Sequence, residues 1–268
     1  MTASTLALQK PKFGGVKSVN IRNCAVEIFC TMVYVALCVP VQIMATSLGL
    51  GVTDVASFYA IVVVLLTFTF RRETVAQMNP VASGTFLLTG KINVEQCLAN
   101  IASQLAGGMI GAAWIAMWIR DEQDSTVTLG STLGYADGFT RGRLLFAEAM
   151  SSWLLIITLV TATNSTTKKN AFFGSLFIGF SYFIALSLTL GLTGGMINPA
   201  RSFGTAVVAS IRRRTRSPAL AENDLWYRHW ICWVAPLVAT GFAIVTDFIL
   251  SKIKSNDTNA EAPAWCEV

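Results

Sequence analysis

Apolar residues run along this chain in stretches about as long as a bilayer is thick, broken by short polar segments. Crossing the hydrocarbon core takes about 20 residues of helix. Six stretches have that character: about 24–46, 54–70, 97–118, 144–163, 171–190 and 230–250. Two shorter ones, about 79–88 and 198–209, each follow an Asn-Pro dipeptide, Asn79-Pro80 and Asn198-Pro199. Asn caps a first helical turn, and Pro tolerates the first helical position because its missing N–H has no intrahelical partner anyway. These segments read as re-entrant half-helices that begin inside the membrane, with free N–H groups and a positive dipole end at mid-depth. Irregular backbone at that depth survives only when buried in protein or lining water.

The polar exceptions to the pattern fall in register. Glu27 lies 52 residues before Asn79, and Glu148 lies 50 before Asn198. The order acidic residue, span, second span, Asn-Pro, third span occurs twice, which marks an internal duplication rather than a short solenoid period. Three spans are an odd number, so the second unit enters from the opposite face. The expected fold is an all-α membrane protein of six transmembrane helices plus two re-entrant half-helices, arranged as an inverted three-span repeat whose broken helices meet near the midplane. The expected boundaries are an N-terminal segment 1–23, a membrane domain 24–252 (repeat one about 24–118, repeat two about 144–250) and a tail 253–268. A carboxylate inside the membrane is costly and needs partners. For Glu27 and Glu148 the natural partners are backbone N–H groups on the approach to the opposite half-helix.

Composition agrees. The chain is 53% hydrophobic and 13% charged, against about 25% charged in soluble proteins, and its mean hydropathy is +0.57. The net charge of +5 calls for no nucleic-acid partner; Lys and Arg set topology instead. Residues 1–23 carry Lys10, Lys12, Lys17 and Arg22, no acidic residue and no apolar core of a cleavable signal. That places the N-terminus in the cytosol and, after six spans, the tail with it. The glycosylation sequons at Asn164 and Asn256 then face the cytosol and stay unmodified. The Arg212–Arg216 cluster reads as a solvated loop. The cysteines at 24, 30, 38, 97, 232 and 266 form no Cys-x-x-Cys pattern and read as small buried apolar residues rather than disulfides or metal ligands. The lone His229, beside Trp230, reads as an interfacial anchor. With no nucleophile–base pair, phosphate loop or paired-carboxylate site, an enzyme, a metal and a cofactor are all unexpected.

Several coordinated motifs carry a family resemblance: Glu27-Ile-Phe; Asn79-Pro80-Val81; Gln104-Leu-Ala-Gly107; Glu148; Thr193-Gly-Gly-Met-Ile-Asn-Pro-Ala-Arg-Ser-Phe-Gly204; and Trp230-Ile-Cys-Trp233-Val-Ala-Pro236. The chain resembles the major intrinsic protein family, the aquaporins and aquaglyceroporins, over residues 22–252. The block Asn198-Pro199-Ala200-Arg201 is the most specific. The first block departs from the family, which usually has Ala where this chain has Val81 and His where it has Gln77. Gln77 does not titrate, which argues against a pH gate there.

The resemblance implies a homotetramer in a plasma or vacuolar-type membrane, with one pore per subunit. Asn79 and Asn198 would donate to water at the midplane, and Val81 and Ala200 would pack the half-helix tips together. Carbonyls of 74–78 and 193–197 would offer acceptors along the pore. Counting from each Asn, the family's aromatic/arginine constriction falls on Tyr59, Leu186, Gly195 and Arg201. One aromatic, an apolar Leu and a Gly resemble the ammonia- and peroxide-permeable branch. The implied order of solutes is water first, then ammonia, hydrogen peroxide and urea, then glycerol. A secondary transporter would need coupling carboxylates at the midplane, and a junction protein of this fold would barely conduct.

Overall fold

The computed structural model describes residues 19–71, 76–120, 123–124, 128–131, 138–163, 168–216 and 223–256. The basic segment before residue 19, residues 74–75 of the first approach, the Asn164 sequon and the tail after 256 lie outside the described residues. The described residues form nine helices and no strand: α1 (Ile21–Met44), α2 (Val52–Thr69), α3 (Pro80–Leu88), α4 (Val94–Trp118), α5 (Arg141–Thr163), α6 (Lys168–Thr193), α7 (Pro199–Arg216), the short α8 (Asn223–Trp226) and α9 (Ile231–Asn256).

Five of these, α1, α2, α4, α5 and most of α6, are long and apolar enough to cross a bilayer, and α9 carries a shorter apolar stretch, Ile231–Thr246. Their outer faces are apolar: Leu98, Trp114, Met117, Phe146 and Phe242 are each more than half exposed. Continuous exposed apolar surface of this kind is what lipid covers. The interior is where the polar residues are, with Glu27, Gln104, Glu148, Asn198 and Arg201 almost wholly buried.

Capping and breaking residues set the ends. Asn20 and Asn93 cap α1 and α4 through their side chains. The half-helix α3 has nine residues, Pro80 in its first turn and Asn79 as its cap. At 1.5 Å per residue it covers roughly half a bilayer. The second half-helix runs seven residues past the expected end at 209, to Arg216. No breaker intervenes before Ser217-Pro218. Arg212 and Arg213 are buried on this extension rather than solvated in a loop. Arg212 pairs with Asp124 at 3.2 Å and donates to the Ile119 carbonyl at 3.1 Å. Asp124 also accepts from the backbone N–H groups of Thr128 and Leu129. The segment after α4 is thereby tied to the C-terminal end of α7, where a cation also suits the helix dipole.

Packing places the half-helices between the repeats. α1 packs along α4, α5 along α9, and α2 along α6. α7 packs on α4 and touches α1, while α3 touches α5 and α9. Glycines permit the closest crossings. A Cβ on Gly108 would collide with the Ala200 carbonyl of α7, one on Gly204 with the Gly108 backbone, and one on Gly107 with the Ile28 carbonyl of α1. Val81 is buried among Ile156, Val160, Ala239 and Ala243. Its side chain therefore seats α3 on α5 and α9.

Candidate functional site

The two Asn-Pro turns come together where α3 and α7 begin. Asn79 Oδ1 accepts from Val81 N at 3.0 Å, and Asn198 Oδ1 accepts from Ala200 N at 3.0 Å, so each side chain caps its own half-helix. Each Nδ2 crosses over: Asn79 donates to the Ile197 carbonyl at 2.9 Å, and Asn198 to the Met78 carbonyl at 2.7 Å. A carboxamide nitrogen has two hydrogens, so each asparagine keeps one beyond the crossed bond. The crossed pair fixes both amides in one orientation and spends one carbonyl from each approach.

Each approach is held by a buried glutamate of its own repeat, not of the opposite one as expected. Glu27 Oε1 accepts from Gln77 N at 2.9 Å, and its Oε2 from Met78 N and Gln104 Nε2, both at 2.8 Å. Glu148 Oε1 accepts from Met196 N at 3.0 Å and from the Thr193 hydroxyl. The glutamate sits about 50 residues upstream because the helix that carries it runs beside the loop it must hold.

Toward the far end of α1, Arg201 and Tyr59 converge on Gln42. Arg201 Nη2 donates to Gln42 Oε1 at 2.6 Å, the Tyr59 hydroxyl donates to the same oxygen at 3.0 Å, and Gln42 Nε2 reaches the Gly194 carbonyl at 3.5 Å. Arg201 Nη1 is buried with no hydrogen-bond partner. Gly195 has φ +75°, and a Cβ there would lie 2.6 Å from Leu186 Cδ2. The four residues picked by counting thus fall into two touching pairs, Tyr59 with Arg201 through Gln42, and Leu186 with Gly195.

Sequence reasoning missed three residues here. Gln42 is a lone polar side chain in the apolar run Cys38-Val-Pro-Val-Gln42, and that isolation was its one signal. Tyr34 and Tyr182 gave none, since an aromatic in an apolar run reads as packing. Their rings meet edge to face at 6.1 Å, and Tyr34 meets Tyr59 at 5.7 Å. Elsewhere, Cys30, Cys38, Cys97 and Cys232 are buried free thiols, and no metal-binding group of His, Cys, Asp or Glu occurs among the described residues. His229 is not at an exposed interface. It packs among Phe203, Trp226 and Trp233, and burial pushes its pKa down to about 4.

The comparisons with known proteins agree with this geometry. A family model described as Major intrinsic protein matches residues 15–246. Aquaporin PIP2-1 of Arabidopsis thaliana is 28% identical over 203 residues, which is 73% of this chain and 65% of the relative. Probable aquaporin PIP2-8 of the same plant is 26% identical over 226 residues, 79% of this chain and 76% of the relative. The chain thus spans just under two thirds of the first relative's length. The solved structure of the aquaglyceroporin from Plasmodium falciparum shares the fold, with a TM-score of 0.73 at 15% identity over 87% of this chain and 98% of that one. Membrane-length helices and a family match over most of the chain lead to one conclusion: this is an integral membrane protein of the major intrinsic protein family, whose members are channels and not enzymes.

Proposed function

We propose that the chain is a passive channel for water first, and then for small neutral solutes such as ammonia, hydrogen peroxide and urea, with protons and ions excluded. The crossed asparagines carry this reading. Asn79 and Asn198 are locked by each other's approach and sit at two helix N-termini, where the positive dipole ends disfavour a proton or cation. Arg201 supports it, because its unpartnered Nη1 is a fixed donor and a fixed positive charge. Leu186 and Gly195, which lie against one another, add an apolar element beside it. These four residues hold one aromatic and no second ring for glycerol's carbon backbone to lie against, so a glycerol channel ranks below.

A coupled transporter is disfavoured because the two intramembrane carboxylates, Glu27 and Glu148, are committed to approach backbone. A poorly conducting junction protein has one observation in its favour: Asn198 exposes 0% of its surface. The remaining assignments are a homotetramer with one pore per subunit, cytosolic termini, and a plasma or vacuolar-type membrane.

Reconstitution with stopped-flow light scattering tests the reading. Vesicles containing the parent protein should shrink faster than empty ones, with weak temperature dependence. Arg201→Val should raise the urea-to-water ratio and admit a proton leak. An unchanged ratio together with an unchanged leak would sink the Arg201 assignment, and parent flux equal to that of empty vesicles would sink the channel.

A further inference from the structure

Arg201 of α7 and Tyr59 of α2 are held together by a residue from a third helix. Gln42 lies half-buried in the last turn of α1. Its one carboxamide oxygen accepts from Arg201 Nη2 at 2.6 Å and from the Tyr59 hydroxyl at 3.0 Å. A guanidinium has N–H donors and no acceptor. The group facing it must therefore be the Gln42 oxygen, and the amide nitrogen turns to the Gly194 carbonyl at 3.5 Å. A carbonyl oxygen has two lone pairs, and Gln42 uses both here. The guanidinium is a planar, rigid fork, so pinning Nη2 also fixes where the unpartnered Nη1 points. The Tyr59 hydroxyl, with its hydrogen committed to Gln42, has only lone pairs to offer elsewhere.

The turn that carries Gln42 is itself braced. A Cβ on Gly130, whose φ is +62°, would lie 2.7 Å from Val39 Cγ1 and 3.3 Å from Ile43 Cγ1, so the chain at Gly130 rests directly on the last turns of α1. Gln123 Nε2 reaches Met44 Sδ at 3.4 Å. Asp124 ties the same segment to Arg212 of α7, the helix whose first turn carries Arg201. Charge matters as much as position. A carboxylate in place of the Gln42 amide would satisfy the same two donors but cancel the arginine's charge. An apolar side chain of similar length would leave the charge and release both donors. Glutamine does neither.

We propose that Gln42 is a positioning residue for selectivity: its neutral carboxamide oxygen fixes the Arg201 guanidinium and the Tyr59 hydroxyl in one arrangement while leaving the arginine's positive charge whole. This rests on the channel reading and deepens it. Size selection follows from the fixed guanidinium, and exclusion of protons and cations follows from its uncancelled charge. The two depend on different properties of one amide, its acceptor and its neutrality, and can be separated.

The test uses the full chain in vesicles of one lipid composition, at equal protein content per vesicle, with parent, Arg201→Val, Gln42→Glu and Gln42→Met. Water and urea fluxes are read by light scattering, and proton leak by decay of an imposed pH gradient. Gln42→Glu keeps the acceptor and neutralises the charge, so proton leak should rise severalfold while the urea-to-water ratio stays at the parent's. Gln42→Met keeps the charge and frees the guanidinium. Its urea-to-water ratio should rise about fivefold, the factor by which a displaced guanidinium gains population when a hydrogen bond of ordinary net strength is lost, while proton leak stays low. The two effects expected together in Arg201→Val are thereby split. If both Gln42 variants keep the ratio and the leak of a parent that conducts above empty vesicles, the proposal is overturned while the channel reading stands. Fluxes that all change in proportion, as for a residue that only packs α1, overturn it as well, as do two variants that both behave like Arg201→Val. If neither the parent nor any variant exceeds empty vesicles, the channel reading falls and takes the proposal with it. Should Gln42→Met fail to reconstitute, Gln42→Glu, which retains the acceptor, decides the matter alone.

Discussion

Ala76 and Met78 approach Asn79 with φ of +47° and +51°, whereas Gly194 and Gly195 approach Asn198 at +80° and +75°. The same backbone task is performed with side-chain-bearing residues in one repeat and with glycine in the other. An L-residue in the left-handed region costs about 1–2 kcal/mol, and glycine avoids that penalty. The anchoring differs in the same sense. Glu27 uses both oxygens and holds two backbone N–H groups plus Gln104, and Gln77 in turn accepts from Ser83 at 2.5 Å and Asn100 at 3.4 Å. Glu148 holds the relaxed glycine approach through Oε1, while its buried Oε2 has no hydrogen-bond partner. Backbone strain and anchoring rise together, so two glutamates that look interchangeable in sequence do unequal amounts of work.

The strongest way to break this comparison is to remove the two anchors. Glu27→Ala strands three buried donors, each worth about 1–3 kcal/mol when left unsatisfied, and releases the strained approach. Thermal unfolding in detergent should show a loss of at least about 3 kcal/mol. Glu148→Ala strands fewer groups and should cost about 2 kcal/mol. Equal losses would mean that strain and anchoring are unrelated.

A smaller effect is expected on the glycine side. Gly195→Cys places a side chain in the left-handed region and against Leu186 Cδ2, at a cost of about 1–2 kcal/mol. Leu186 can move, so the protein should fold. Its water flux should then become sensitive to mercurials, because a thiol now stands beside Arg201 and Leu186. Flux as insensitive as the parent's would show that Gly195 does not border the path.

The smallest effect sharpens the comparison from the other side. Ala76→Gly gives the first approach what the second already has. Relief of the left-handed strain, partly offset by the entropy glycine loses on folding, should raise stability by about 0.5–1 kcal/mol. A decrease would place the Ala76 methyl, 1% exposed, among contacts worth more than the strain.

The helices were legible because their cause is local: apolar length, Asn caps and Asn-Pro starts. The meeting of Asn79 with Asn198 was legible because a duplicated pattern constrains two places at once. Counting from each Asn with the family's spacing named Tyr59, Leu186, Gly195 and Arg201, and the fold brings Tyr59 to Arg201 through Gln42 and Leu186 to Gly195. The misreadings have a shared origin. Arg212 and Arg213 looked solvated because Asp124, which Arg212 pairs with, lies 88 residues away. The glutamates were assigned to the wrong half-helix because a buried carboxylate's need for donors does not say which approach lies beside the helix that carries it. Gln42 stayed hidden because what it does depends on which residues the fold brings to the end of α1, which no local pattern encodes.

The collision that any Cβ on Gly108 or Gly204 would cause has a consequence for the surrounding lipid. Where two backbones touch, one helix cannot slide along the other without opening a void. α7 is therefore fixed in height against α4, and Asn198 at its start is fixed with it. Hydrophobic mismatch, which other helices absorb by tilting at a cost of fractions of a kcal/mol per Å, acts on the lipid-facing helices. Asn198 therefore keeps its level relative to α4 whatever the thickness of the bilayer around them.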